Sequence, residues 1–168
     1  MNQVEFLEIV SPFKDKLYRL AKRILISNDE AEDAVQEVYL KLWKAKANIK
    51  NYGNVEAFAM TMTKNFCLDR LKSKQASNLK LVHTNFPTSG NIERNLEANE
   101  GVDMVLKILE DLPEQQRIVI QLRDVEQFEF SEIAKILDSN ETAIRVALSR
   151  ARKTVRNLMI KKYNYGIS

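Results

Sequence analysis

The sequence predicts an all-α fold of two small helical domains joined by a flexible linker, with a helix-turn-helix in the C-terminal domain. Three observations lead to this prediction. The 168-residue chain has only 4 Gly and 3 Pro, which favours long helices over many turns. Apolar residues recur at helical spacing over most of its length. The spacing weakens over residues 75–101, where Asn, Ser, Thr and Pro accumulate. We therefore expect domains over residues 1–75 and 101–168, with the linker over 76–100.

Two helical stretches open the first domain. Apolar residues from Val4 to Ile26 follow helical spacing, and Ser11-Pro12 divides them because Pro fits the first turn of a new helix. The next helix extends from about Asp29 to Lys44. Acidic residues crowd its first turn, where they favour the helix dipole. The same acids also suit a surface that docks another protein.

A polar loop and a third helix follow. The loop, residues 46–54, contains Asn side chains whose amides can pair with exposed base edges, and Tyr52 can stack on an unpaired base. A plain connecting loop remains the alternative. The helix, over about residues 54–74, has apolar contacts at Phe58, Met62 and Phe66, and the rest of its surface is basic.

The second domain contains the predicted helix-turn-helix, over residues 128–156. Ser131 is the expected N-cap of its first helix, and a turn at residues 138–140 follows. Spacing in the second helix separates two faces. The inward stripe is Ile144, Leu148, Ala151, Val155 and Leu158, and the outward face is Thr142, Val146, Ser149 and Lys153.

The charge of this second helix favours DNA over an ordinary solvated surface. Arg145, Arg150 and Arg156 flank its outward face, and no acid follows Glu141. A short turn that leads into such a helix suits insertion into the DNA major groove. The net charge of the chain, +3, is not diagnostic, but basic residues cluster over 44–80 and 145–162.

Other features limit the class of protein. The single Cys67 excludes an internal disulfide and indicates a reducing compartment. Glu5 and Glu8 interrupt the opening apolar residues, and no run of about 18 apolar residues exists. We therefore expect a cytoplasmic protein without membrane insertion. Ligand spacing for a metal and a Gly-rich phosphate loop are both lacking, so no metal, cofactor or small-molecule substrate is expected.

Three segments resemble the extracytoplasmic-function branch of bacterial RNA polymerase sigma factors. Residues 29–43 (DEAEDAVQEVYLKLW) are similar to the family's core-binding segment, and residues 57–72 (AFAMTMTKNFCLDRLK) to its −10 recognition helix. Residues 112–152 are similar to its −35-reading domain. Departures occur at Asp138, where the family often has Gly, at Thr142-Ala143, where it often has Gly-Thr, and at Phe58, where it often has Trp.

The resemblance implies a factor that binds core polymerase, at the β′ clamp and the β flap, and directs initiation at promoter DNA. An anti-sigma factor is an implied partner. The implied core-binding residues are Asp33, Gln36, Glu37, Leu40 and Lys41. The implied −10 residues are Asn48, Lys50, Asn51, Tyr52, Asn54, Lys64, Asn65, Arg70, Lys72 and Lys74. The implied −35 residues are Asn140, Glu141, Thr142, Arg145, Val146, Ser149, Arg150, Lys153 and Arg156.

Three other classes of protein compete with this interpretation. An enzyme would use Cys67 or His83, but a Cys within a helix pattern is far more often structural than nucleophilic. A conventional helix-turn-helix regulator would bind duplex DNA without core polymerase, and the acidic helix, loop and basic helix of the first domain argue against it. The basic recognition helix disfavours a pure protein-interaction module. We therefore expect a non-enzymatic sigma factor, with the conventional regulator as the alternative.

Overall fold

The computed structural model describes residues 2–80 and 100–167, with side chains over 2–76 and 103–162. All regular structure in these ranges is helical, which confirms the all-α prediction. Short 3-10 turns lie at Ser11–Phe13 and Ile49–Asn51, and one π-helical turn lies at Gln121–Val125. The α-helices in chain order are α1 Gln3–Val10, α2 Lys14–Leu25, α3 Asn28–Lys44, α4 Val55–Lys80, α5 Glu100–Asp111, α6 Glu114–Ile120, α7 Phe130–Ile136 and α8 Glu141–Ile167.

Helices α2, α3 and α4 pack against one another and form the first domain. The 3-10 turn at Ser11–Phe13 separates α1 from α2, at the position where Ser11-Pro12 predicts a division. Ser27 caps α3 through a bond from the Glu30 backbone N–H. The apolar stripes of these helices meet in a core that includes Leu17, Leu20, Ile24, Val38, Leu42 and Met60.

Helix α4 is longer than its sequence pattern predicts, and it buries a different face. Asn54 caps its start, accepting from the Ala57 backbone N–H at 3.0 Å. Because α4 packs against both α2 and α3, its smaller residues lie innermost and Phe58, Met62 and Phe66 are only half-buried. The fully buried side chains are Ala59, Met60, Thr63 and Cys67.

The predicted linker, 76–100, lies mostly outside the described residues. Residues 81–99, with His83 among them, are not described, whereas residues 76–80 continue α4 and Glu100 opens α5. The described end of α4 thus extends past the predicted domain boundary at residue 75.

Helix α8 packs against α5, α6 and α7 in the second domain. Ile118, Ile133 and Ile144 are among its buried residues. The prediction that Ser131 caps α7 was wrong. Helix α7 begins two residues earlier than a cap at Ser131 implies, at Phe130, which packs against the core, and Glu129 occupies the cap position without a side-chain hydrogen bond.

Candidate nucleic-acid interface

The outer face of α8 carries four exposed basic residues, Arg145, Arg150, Lys153 and Arg156. Asn140 caps the helix, because its Oδ1 accepts from the Ala143 backbone N–H at 2.7 Å. Ile144, Leu148 and Ala151 are buried and hold the opposite side of the helix against the domain. This rotation leaves every residue of the predicted −35 set exposed: Asn140, Glu141, Thr142, Arg145, Val146, Ser149, Arg150, Lys153 and Arg156.

A shallow groove crosses this outer face. Its volume is about 420 Å³, and its walls combine hydroxyl, guanidinium and apolar groups. Val146 is 43% exposed, so it offers an apolar surface for contact with a base. The lining residues are Thr142, Arg145, Val146, Ser149 and Arg150.

Residues of the π-helical turn and of α7 contact two arginines of α8, Arg145 and Arg152. Arg152 pairs with Asp124 of the π-helical turn at 2.5 Å, and hydrogen bonding to this carboxylate raises the pKa of Arg152. The Arg145 guanidinium lies 4.8 Å from the centre of the Phe130 ring, and that of Arg123 lies 4.4 Å from it. Sequence reasoning missed Phe130, Arg123 and Asp124, because their relation to α8 depends on the packing of α7.

The turn between α7 and α8 explains one departure from the family pattern. Asp138 has φ of 50°, in the left-handed region that Gly adopts most readily. Asp tolerates this region better than most residues, since its short polar side chain can hydrogen-bond locally. The turn geometry is therefore kept although Gly is absent.

In the first domain, the loop over residues 46–54 presents its polar side chains outward. Ile49 is fully buried and anchors the 3-10 turn. The Tyr52 ring stacks on Phe58 with centroids 4.2 Å apart, so one Tyr52 face is already covered. All five predicted residues of this loop are exposed: Asn48, Lys50, Asn51, Tyr52 and Asn54.

The predicted −10 residues of α4 have varied surroundings. Asn65 and Lys72 are exposed. Arg70 bonds Asp33 of α3 at 2.5 Å, which raises the Arg70 pKa, and Lys74 pairs with Glu30. Two of the cations expected to bind DNA, Arg70 and Lys74, thus form ion pairs within the chain. The partner of Arg70, Asp33, is itself one of the residues expected to bind core polymerase.

Lys64 differs from the other predicted cations because the second domain covers it. Its relative exposure is 9%, and it lines a hollow with Leu137, Ser139 and Ile144. Burial lowers the Lys64 pKa, and the charge of Asp138 partly opposes that shift. Lys64 is therefore covered in the arrangement of the two domains that the structure shows.

The predicted core-binding residues lie on α3 beside an apolar groove. Asp33, Gln36, Leu40 and Lys41 are exposed, and Glu37 is half-buried. Helix α1 forms the other wall, which sequence reasoning did not assign to the site. The available signal in the sequence was the adjacent apolar pair Phe6 and Leu7, because neighbouring helix residues do not share one face. The groove, of about 620 Å³, is lined by Gln3, Phe6, Leu7, Gln36, Tyr39, Leu40 and Trp43.

The two domains meet through polar contacts as well as apolar ones. Arg19 of α2 donates twice to the Glu126 carboxylate, and Arg23 donates to Gln121 at 2.9 Å. Arg117 donates to the Ile24 carbonyl at 3.4 Å, and burial lowers its pKa. Buried apolar residues of both domains also belong to one cluster, so the interface combines polar and apolar contacts.

The described residues contain neither a candidate membrane span nor a candidate metal site. Over residues 2–80 and 100–167, each helix lacks the length or the hydrophobicity that a bilayer span requires. The same described residues contain no group of three or more His, Cys, Asp or Glu side chains placed to hold a metal ion.

Comparison with known families accounts for both domains. The sequence model of sigma-70 region 2 matches residues 9–77, and that of sigma-70 region 4 matches residues 103–155. Together they cover well over half of the chain. The chain belongs to the sigma-70 family. The region 2 match covers α3, the loop and most of α4, and the region 4 match covers α7 and the first half of α8.

Curated relatives of this sigma factor belong to the extracytoplasmic-function group, which confirms the resemblance noted in its sequence. It is 25% identical over 163 residues to the ECF RNA polymerase sigma factor SigK of Mycobacterium tuberculosis, covering 94% of this chain and 87% of SigK. It is 26% identical over 167 residues to the ECF RNA polymerase sigma-E factor of Escherichia coli, covering 93% and 87%.

Solved structures share the fold of this sigma factor. The sigma factor RpoE of Bartonella quintana, in complex with the anti-sigma factor NepR, superposes with a TM-score of 0.77 and 22% identity, covering 92% of this chain and 96% of RpoE. CnrH, in complex with the cytosolic domain of CnrY, gives a TM-score of 0.67 and 20% identity, covering 95% and 90%. Both likenesses support the two-domain helical architecture.

Proposed function

We propose that this sigma factor binds core RNA polymerase and directs initiation at promoters by reading −35 DNA with α8 and −10 DNA with the loop over residues 46–54 and α4. The outward face of α8 is the observation that carries the proposal. This face is exposed and basic, and Asn140 caps the N-terminus of α8, the end that is proposed to enter the major groove of DNA. The recognition helix of a helix-turn-helix contacts base edges with its N-terminal residues.

At the −35 element, Arg145 and Val146 are the proposed base readers. A guanidinium can bond O6 and N7 of guanine together, and an apolar side chain can pack on a thymine methyl. Arg150, Lys153 and Arg156 lie farther along α8 and are assigned to phosphates. Asn140 contributes through its amide N–H groups, because its oxygen already caps the helix.

At the −10 element, the loop is proposed to hold a base that has left the duplex. Enzymes and factors that read a base outside the stack use hydrogen bonds to its edge and stacking on its face. Asn48 and Asn51 supply exposed amides, and Tyr52 supplies the ring face that Phe58 does not cover. Lys50 and Lys72 are assigned to phosphates.

The groove between α1 and α3 is proposed to receive the β′ clamp. Its apolar floor and the exposed Leu40 suit the hydrophobic side of a partner helix, and Gln36 and Lys41 supply a polar rim. The second domain is proposed to dock on the β flap. An anti-sigma factor is proposed as a further partner, since the RpoE relative is bound to one.

Promoter reading requires the two domains to separate. The positions that name the −10 and −35 elements differ by about 25 base pairs, which corresponds to about 85 Å at about 3.4 Å per base pair. A compact chain of this length has a radius of gyration of about 15 Å. The closed arrangement also covers Lys64. We therefore expect core polymerase to stabilise an opened form.

The chain is proposed to act by binding and not as an enzyme, in the cytoplasm together with polymerase. Its single thiol is unsuited to nucleophilic chemistry. Cys67 is fully buried, and burial raises its pKa to about 12, so the thiol stays protonated at neutral pH.

Selection from a promoter library tests the proposal. Bacterial core polymerase is mixed with the chain and with DNA that is randomised at both elements, and bound molecules are sequenced. Two enriched elements at a constant spacing, dependent on both components, are expected. Enrichment of one duplex site by the chain alone, with no association with core, would instead identify a conventional helix-turn-helix regulator.

A further inference from the structure

Phe130 opens α7 and lies against the proposed base reader Arg145. Its ring is partly buried at the edge of the second-domain core, whereas Arg145 is exposed on α8. The Arg145 guanidinium carbon lies 4.8 Å from the ring centre, within the distance at which a cation is attracted to an aromatic face. A partly buried aromatic residue therefore contacts an exposed charged one.

The kind of contact matters because it leaves the hydrogen-bond donors free. A guanidinium has five N–H donors in its plane, and an aromatic ring against its face occupies none of them. Arg152 provides the contrast within the same hollow. Its Nε and Nη2 both donate to Asp124, at 3.1 and 2.5 Å, so much of its donor edge is occupied.

A second arginine is held on the same ring. Arg123 lies 4.4 Å from the Phe130 centre, and its Nη1 donates to the Phe128 carbonyl at 2.9 Å. That bond fixes Arg123 to the backbone just before α7. The hollow beside the ring, of about 350 Å³, is lined by Phe130, Arg145, Leu148, Ser149, Arg152 and Arg156.

We propose that Phe130 is a specificity-determining positioning residue, which orders Arg145 through the cation–π contact with its ring so that the N–H donors of Arg145 meet a guanine of the −35 element. This inference rests on the proposed function of α8. An unrestrained arginine must lose its rotamer freedom on binding, and prior ordering reduces that loss. Prior ordering of Arg145 therefore favours binding to guanine, which accepts two hydrogen bonds from the guanidinium at O6 and N7. It does not affect the contacts of other residues with phosphates.

The test compares Phe130→Leu with the matched control Phe130→Tyr, which keeps the ring. Each full-length variant is combined with core polymerase and a library randomised at the −35 element. Phe130→Leu is expected to weaken preference at the same base position as Arg145→Ala, by roughly two- to fivefold. Phe130→Tyr is expected to keep the preference, and Phe130→Leu should add nothing to Arg145→Ala.

Several outcomes would overturn the inference. Suppose that Arg145→Ala shifts the preference at one base position. The inference then fails if Phe130→Leu weakens binding to all −35 sequences equally, or if it leaves the preference unchanged. If Arg145→Ala shifts nothing, base reading by Arg145 itself fails. A second measurement, on the free chain, remains informative if Phe130→Leu folds poorly. The ring should shift the NMR signals of the Arg145 side-chain protons upfield in wild type and in Phe130→Tyr. Absence of that shift in wild type would contradict the contact between the ring and Arg145.

Discussion

Arg19 and Glu126 join the two domains of the free chain by a paired contact. Arg19 Nε donates to Oε1 of Glu126 at 2.6 Å, and Nη2 donates to Oε2 at 3.1 Å. The Glu126 side chain is only 1% exposed, and hydrogen bonding to it raises the Arg19 pKa. A buried carboxylate that loses such partners is costly, so this pair favours the closed form.

Replacing Arg19 with Met should open the chain. The variant leaves the Glu126 carboxylate without its two guanidinium donors, which disfavours the closed form by on the order of 1–3 kcal/mol. Small-angle X-ray scattering should report a larger radius of gyration. Lys14→Met, an exposed change on the same helix, is the control and should match wild type. An unchanged radius in Arg19→Met would show that the pair does not hold the domains together.

Arg145→Ala should weaken discrimination at one −35 base pair by roughly 1–3 kcal/mol, the range for a bidentate contact with guanine. Holoenzyme binding to the selected promoter and to single-base variants measures this quantity. Arg150→Ala, at a neighbouring position assigned to phosphates, is the comparison and should weaken all sequences alike. Equal loss on specific and scrambled −35 DNA in Arg145→Ala would refute its role in base reading.

Lys153→Ala should lower affinity for DNA broadly and reduce the salt dependence of binding. Neutralising one phosphate contributes about 0.9 to the slope of log K against log salt concentration. Binding measured over a series of salt concentrations gives that slope. Asn157→Ala, an exposed uncharged neighbour, should leave it unchanged. A wild-type slope in Lys153→Ala would argue against a phosphate contact.

Much of this architecture can be predicted from the sequence because helical spacing and caps are local. The spacing of Ile144 and Leu148 predicts the orientation of α8, and either Ser139 or Asn140 is predicted to cap its start, of which the structure uses Asn140. The surroundings of the basic residues on α4 could not be predicted in this way. Arg70 is paired by Asp33 on another helix, and Lys64 is covered by the second domain. Such contacts depend on how distant segments pack, which periodicity does not encode.

The turn at Asp138 provides a test of the helix-turn-helix geometry. A side chain in the left-handed region costs roughly 1–2 kcal/mol, and a β-branched residue fits there poorly. Asp138→Val should therefore lower the free energy of unfolding by about 1–2 kcal/mol, whereas Asp138→Gly should keep it close to wild type. Denaturant unfolding measures both. Equal stability of the Val and Gly variants would contradict the turn conformation.

Cys67 provides a chemical probe, since it is the only Cys of the chain. Burial raises its pKa from 9.0 to about 12, so the thiol should resist iodoacetamide at pH 8 in the native protein and react fully in denaturant. Between pH 9.0 and about pH 12 the thiol ionises in the unfolded protein but stays protonated in the native protein. The contribution of Cys67 to the free energy of unfolding therefore falls as the pH rises through this range. Mass spectrometry of alkylated protein measures reactivity. Rapid native labelling would contradict the buried site.

Run-off transcription from a selected promoter tests the central claim most directly. Core polymerase, the chain and linear promoter DNA are combined, with core alone and the chain alone as controls. Transcript of the defined length should appear only when core and chain are both present, and it should be lost when either the −10 or the −35 element is scrambled. Binding of the chain to duplex DNA without any transcript from the combined components would contradict a role as an initiation factor.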